Sequence, residues 1–207
     1  MQQLIYMLDL FGVAIFAITG SLAAGKKHMD LFGVVVLATV TALGGGTIRD
    51  IILDLGPAFW VTNPTYLIVV IIASIATFML VRIIDIHSNA LVIADAIGLA
   101  VFTIIGTEKA ISADVSGYIC VVMGVTTGVL GGMIRDILAG EIPLILQKEI
   151  YATASLCGAS VFYLIYIVLG LKSPAIIISF AITFCLRLAA IKWNISLPIL
   201  SPNKKQK

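Results

Sequence analysis

Two short segments hold residues able to do chemistry in apolar surroundings: GGGTIRD, Gly44 to Asp50, and LGGMIRD, Leu130 to Asp136. Each falls inside a long apolar run rather than at its edge. Consecutive glycines lower helix stability by about 1 kcal/mol each relative to alanine and leave the backbone unshielded. Gly44, Gly45, Gly46, Gly131 and Gly132 are therefore expected to break two helices inside the membrane. Freed carbonyls at such a break carry partial negative charge and suit a cation. Thr39, Thr41 and Thr47 near the first motif, with Thr126 and Thr127 near the second, would add hydroxyl oxygens. Oxygen ligands without a dense carboxylate cage favour monovalent ions over tightly held divalent ones. The glycines have a second reading as close-packing positions, the role that Gly124 and Gly128, four apart, look placed to fill. Repetition beside charge favours the break.

Arg49–Asp50 and Arg135–Asp136 follow the glycines closely. Charges at membrane depth are expensive, and usually paired or facing water. Each arginine either neutralises a carboxylate and locks two similar halves of the chain together, with Asp9 and Asp95 as available partners, or gates or tunes a path that the carboxylates enrich in cations. Both readings stay open. Lys148–Glu149 opens a later span, where a glutamate suits the helix dipole or a pore mouth. His28 and His87 lack metal-ligand spacing, and neither a Ser/His/Asp nor a Cys/His set stands out. No catalytic residue, metal site or cofactor is expected, and the absence of GxxxxGK[ST] argues against phosphate cradling.

These residues need elements to hold them at depth. The chain has 207 residues, of which 60% are hydrophobic and 12% charged, with a mean hydropathy of +1.13. Soluble domains carry about 25% charged residues, so too little polar surface exists here to cover a globule in water. A soluble enzyme, a disordered chain and a disulfide module are excluded. The net charge of +2 points to no nucleic-acid partner. The odd set Cys120, Cys157 and Cys185 reads as small core hydrophobes.

Seven stretches approach the roughly 20 apolar residues needed to cross a bilayer: 4–24, 31–53, 66–84, 90–106, 117–138, 151–169 and 175–191. The first lacks a basic n-region and a small-residue cleavage site, so it is expected to stay as a span. The fold class is thus all-α, a seven-helix membrane protein. Ten lysines and arginines fall on the side of the C-terminus and only Arg49, Lys109 and Lys172 on the other. That bias predicts a cytoplasmic C-terminus and an external N-terminus.

Aligning the chain on itself at an offset of 86 residues matches 17 of 49 positions between 9–57 and 95–143 without a gap. Asp9/Asp95, Gly12/Gly98, Phe16/Phe102, Gly45/Gly131, Arg49/Arg135, Asp50/Asp136 and Pro57/Pro143 share the register. Three spans per copy is an odd number, so the second copy enters the membrane from the opposite side. The expected organisation is a three-helix unit over 1–86, an inverted copy over 87–172, and a seventh helix with a basic tail over 173–207. Inverted repeats belong to permeation architectures, with the site at the repeat interface.

GGGTIRD in the second span, GGMIRDIL in the fifth and QKEIYA at the start of the sixth resemble the prokaryotic branch of the trimeric intracellular cation (TRIC) channel family. The resemblance covers essentially the whole chain. It implies a homotrimer in membrane lipid with one pore per protomer, lined by kinked second and fifth spans and passing potassium and, to some extent, sodium. By that resemblance the five glycines are kink positions and Lys148–Glu149 is the family's Lys-Glu element. Leu130 departs from it, since a third glycine is usual there. The inner (plasma) membrane of a bacterium or archaeon is the implied location. Some bacterial relatives are linked to glycine transport, so a secondary transporter of glycine or a similar small amino acid is the alternative.

Overall fold

The computed structural model describes residues 2–81, 83, 89–147, 150–193 and 195. Lys148, Glu149, His87 and the basic tail lie outside them. Seven helices of 17 to 25 residues make up the described chain: α1 Gln2–Lys26, α2 Leu31–Ile52, α4 Thr65–Val81, α5 Ala90–Ser112, α6 Gly117–Leu138, α7 Ala152–Leu169 and α8 Lys172–Trp193. Two single turns join them, α3 at Phe59–Thr62 and a 3-10 turn at Leu144–Leu146. Six of the helices are long and apolar enough to cross a membrane, and Thr65–Val81 is a shorter apolar helix. The protein is an all-helical, multi-pass membrane protein.

Short connections force successive helices to run antiparallel. Asp30 caps α2 by accepting the Gly33 N–H at 2.7 Å, one of the orphan donors of a helix start. Gly170, at φ 67°, reverses the chain between α7 and α8, a left-handed conformation that glycine adopts without a Cβ penalty. α5 runs six residues past its expected end because Glu108, which reads as a terminus in sequence, is buried and receives the Lys172 ammonium of α8 at 2.7 Å. That pair ties the seventh long helix to the bundle.

α5 is central: Leu99, Val101, Ile104 and Ile105 have no exposed surface. It runs antiparallel to α1, with Phe16 filling the space a side chain on Gly98 would need and Phe102 doing the same at Gly12. The two rings meet at 5.0 Å between centroids.

The expected helix breaks are absent. α2 is helical through Gly44, Gly45 and Gly46, and α6 through Gly131 and Gly132. The missing side chains are used instead for backbone approach between antiparallel helices. A Cβ on Gly45 would overlap the Thr127 carbonyl oxygen, and one on Gly131 would overlap that of Thr41. Small residues that let two backbones touch are a common device of membrane helix pairs. Gly46 leaves room for the Phe59 ring, 2.5 Å from where its Cβ would stand, and Gly44 faces Ile134. The close-packing reading of the glycines therefore describes this seam.

Overfilling a packed contact of this kind typically costs about 1–3 kcal/mol. Gly131→Ala should lower the thermal midpoint in detergent clearly more than Gly25→Ala, whose added methyl meets nothing within 4 Å. Equal midpoints for the two variants would contradict a seam at backbone contact.

Candidate functional site

Two charged clusters sit at opposite ends of the α2–α6 seam. The first joins the start of α1 to the end of α2. Arg49 donates from Nε and Nη2 to Asp50 Oδ1 at 2.9 and 2.7 Å, and Asp50 Oδ2 accepts the Phe59 N–H at 2.9 Å. The guanidinium also lies 5.6 Å from the Phe59 ring centroid. Asp9 is not in that ion pair; its Oδ2 accepts the Tyr66 hydroxyl at 3.0 Å. Tyr66 is held edge-on by Phe59, with centroids 4.6 Å apart.

The second cluster joins the start of α5 to the end of α6. Arg135 donates from Nη1 to Asp95 Oδ1 at 2.6 Å and from Nε to Asp136 Oδ1 at 2.9 Å. Asp136 Oδ2 accepts the Leu144 N–H at 3.1 Å. In both copies, then, the aspartate after the arginine anchors the turn that follows the repeated proline. Both arginines are ion-paired, each with carboxylates of its own half of the chain rather than across the two halves. The partner choice differs: Arg135 reaches Asp95 on another helix, whereas Arg49 keeps to its own neighbour.

The threonines do not offer their hydroxyl protons across the seam. Thr41, Thr47, Thr127 and Thr39 donate to Leu37, Leu43, Met123 and Val35 carbonyls one turn back, at 2.6 to 2.7 Å. Such back-bonding satisfies a hydroxyl where no water competes. Thr47 Oγ1 still accepts the Trp60 indole N–H at 3.0 Å. Thr126 lines an open apolar groove with Val122, Val125 and Leu156.

Four residues beyond the expected set build these clusters: Phe59, Tyr66, Tyr151 and Arg187. Arg187 of α8 is fully buried, donates to the Ile150 carbonyl at 3.2 Å and stands 4.7 Å from the Tyr151 ring centroid. Its charge in an apolar run was the available signal. Near the second cluster a cavity of about 300 Å³ reaches Asp136 from a rim that includes Lys26, Lys27, Glu141 and Gln147. Lys27 and Glu141 form an ion pair across that rim.

Comparison with known proteins adds to the geometry. A family model described as glycine transporter matches residues 6–82 and 92–166. The UPF0126 inner membrane protein YadS of Escherichia coli K12 is 50% identical over 198 residues, covering 95% of this chain and 96% of that one. A UPF0126 membrane protein of Vibrio cholerae is 46% identical, with 98% and 85% covered. Among solved structures, the TRIC trimeric intracellular cation channel orthologue from Rhodobacter sphaeroides superposes with a TM-score of 0.89 at 39% identity, over 93% of this chain and 99% of that one. A prokaryotic TRIC channel solved in 0.5 M KCl gives 0.87 at 33% identity, over 95% and 100%. The chain belongs to the TRIC family. It belongs equally to the family that the glycine transporter model defines, so one TRIC fold carries two functional descriptions.

In this TRIC protein, removing one partner of a buried ion pair should cost about 3–5 kcal/mol, because the stranded charge stays in low dielectric. Arg135→Met should show a loss of that order by chemical denaturation in detergent, and adding Asp95→Asn should recover part of it. Strictly additive losses would contradict the pairing. The rim pair should respond to pH. The Lys27 ammonium holds the exposed Glu141 carboxyl below its ordinary value of 4.5. Its contribution is complete above that value and disappears as the pH falls through the lowered one. Glu141→Gln should therefore differ from the parent in stability at neutral pH and low salt, and converge on it in acid or high salt. A difference that persists in both would rule out the ion pair as its source.

Proposed function

We propose that this protein is a monovalent-cation channel, passing potassium and also sodium, with one path per protomer of a homotrimer in the inner membrane. The observation that carries the reading is a pair of buried Arg–Asp clusters, one at each end of a seam whose closest contacts are glycine against backbone, in a chain 39% identical to a TRIC cation channel over 93% of its length. The path runs between α2 and α6, and the filled Gly45–Gly131 contact is its shut form. Asp50 and Asp136 stand at the two ends as cation-attracting groups, their arginines tuning rather than blocking them. Thr41, Thr47 and Thr127 supply oxygen lone pairs once the helices part. No resident cofactor is part of this reading, and the potassium or sodium ion is cargo.

An inverted repeat of 1–86 and 87–172, with the last helix outside it, is the architecture that fits. Adding 86 exchanges the Gly45–Thr127 contact with Gly131–Thr41, and Phe16–Gly98 with Phe102–Gly12. The two family-model segments also begin 86 residues apart, at 6 and 92. Lys26, Lys27, Arg135, Arg187 and Lys192 gather at the end that the positive-inside rule makes cytoplasmic. Lys148–Glu149 belongs to that mouth by sequence position, and the N-terminus is external.

The family model's description favours a second reading, secondary transport of glycine or a similar small amino acid. Purified protein in planar bilayers with potassium chloride should give discrete current steps. Saturable glycine uptake into proteoliposomes, without steps, would overturn the channel in favour of the transporter.

A further inference from the structure

The two clusters share residue types but not ion pairing. At the second, Arg135 holds both Asp95 and Asp136, and α8 brings a further guanidinium, Arg187, against Tyr151. At the first, Arg49 directs both of its bonds to Asp50. Asp9 is 4% exposed, and its Oδ1 accepts no hydrogen bond. Among the described residues no cation lies within 4 Å of it. Of the two carboxylates here only Asp50 is ion-paired, and the Arg49 and Lys109 charges act on Asp9 from beyond ion-pair distance. A buried carboxylate in that position is stable only when a proton or another cation neutralises it.

We propose that Asp9 is a monovalent-cation site, with Oδ1 taking an alkali-metal ion or a proton at the end of the protein away from α8's Arg187. A single carboxylate outside any ion pair, with few oxygens around it, suits a single positive charge and not a divalent ion, which demands a denser carboxylate set. The groups facing Asp9 are Arg49 and Asp50 on α2, Tyr66 on α4, backed by Tyr6 on α1, and Lys109 of α5 from beyond ion-pair distance. Tyr66 already donates to Oδ2, which orients the carboxylate and leaves Oδ1 as the open ligand atom. The site follows from charge and geometry and takes only its purpose from the channel reading. A binding assay therefore fails separately from a flux assay.

The test is thermal unfolding of the purified full-length protein in detergent. Potassium or sodium chloride replaces choline chloride at constant ionic strength, over a series of pH values. For an alkali ion at tenfold excess over its dissociation constant, the midpoint should rise on the order of 3–6 °C, and Asp9→Asn should abolish the rise. A midpoint indifferent to the alkali ion that rises on acidification relative to Asp9→Asn identifies the occupant as a proton. Tyr66→Phe should weaken either response by freeing the carboxylate. A wild-type midpoint unmoved by alkali ion and by pH, or an Asp9→Asn variant that responds like the wild type, overturns the proposal.

Discussion

The crossing of α2 and α6 at backbone contact decides where everything else sits. Two helices can touch at the peptide level only where neither carries a side chain, and Gly45 and Gly131 meet that condition against the Thr127 and Thr41 carbonyls. Because the helices are antiparallel, each glycine motif projects its Arg–Asp pair toward the opposite end of the seam. The anchored turns after Asp50 and Asp136 then fix Phe59 and Leu144, and with them the starts of the following helices. A single close approach thus sets both clusters and the spacing between them.

The clusters diverge because the chain continues beyond two similar halves. α8 spans both ends, pinned by Lys172 to Glu108 near the end of α5 and reaching Tyr151 with Arg187 only beside the second cluster. A helix that carries a buried guanidinium beside one cluster only makes the surroundings of the two ends unequal. Arg135 is free to bridge two carboxylates where another cation stands close by. Arg49 is committed to Asp50, and Asp9 relies on a neutral phenol. Similar sequence in 9–57 and 95–143 therefore goes with different ion pairing at the two ends.

Much of this arrangement is readable from residue types alone. The apolar run 117–138 coincides with α6, and the 86-residue register pairs the residues that face one another. What stays hidden is whatever depends on a distant partner. Glu108 reads as a helix terminus until Lys172, 64 positions later, neutralises it. Three adjacent glycines announce missing side chains but not what occupies the space, here a carbonyl, an isoleucine and a phenylalanine ring. Helix propensity favoured a break; tertiary contact along the whole seam kept the helices continuous. Likewise the threonines announce oxygens without revealing that each hydroxyl turns to its own helix.

That last detail makes a filled seam compatible with a path. If Thr41 and Thr127 bonded across the interface, parting α2 from α6 would strand two buried hydroxyls, each needing a new partner. Because they donate within their own helices, separation leaves every hydroxyl proton satisfied and costs chiefly dispersion contact between small residues. Water entering the gap then meets the Thr41 and Thr127 peptide oxygens, and carboxylates at either end already held by arginine. A seam closed by glycine against backbone packs tightly and opens without breaking a hydrogen bond between its threonines. In the proposed channel, the same glycines that seal the resting state keep its opening inexpensive.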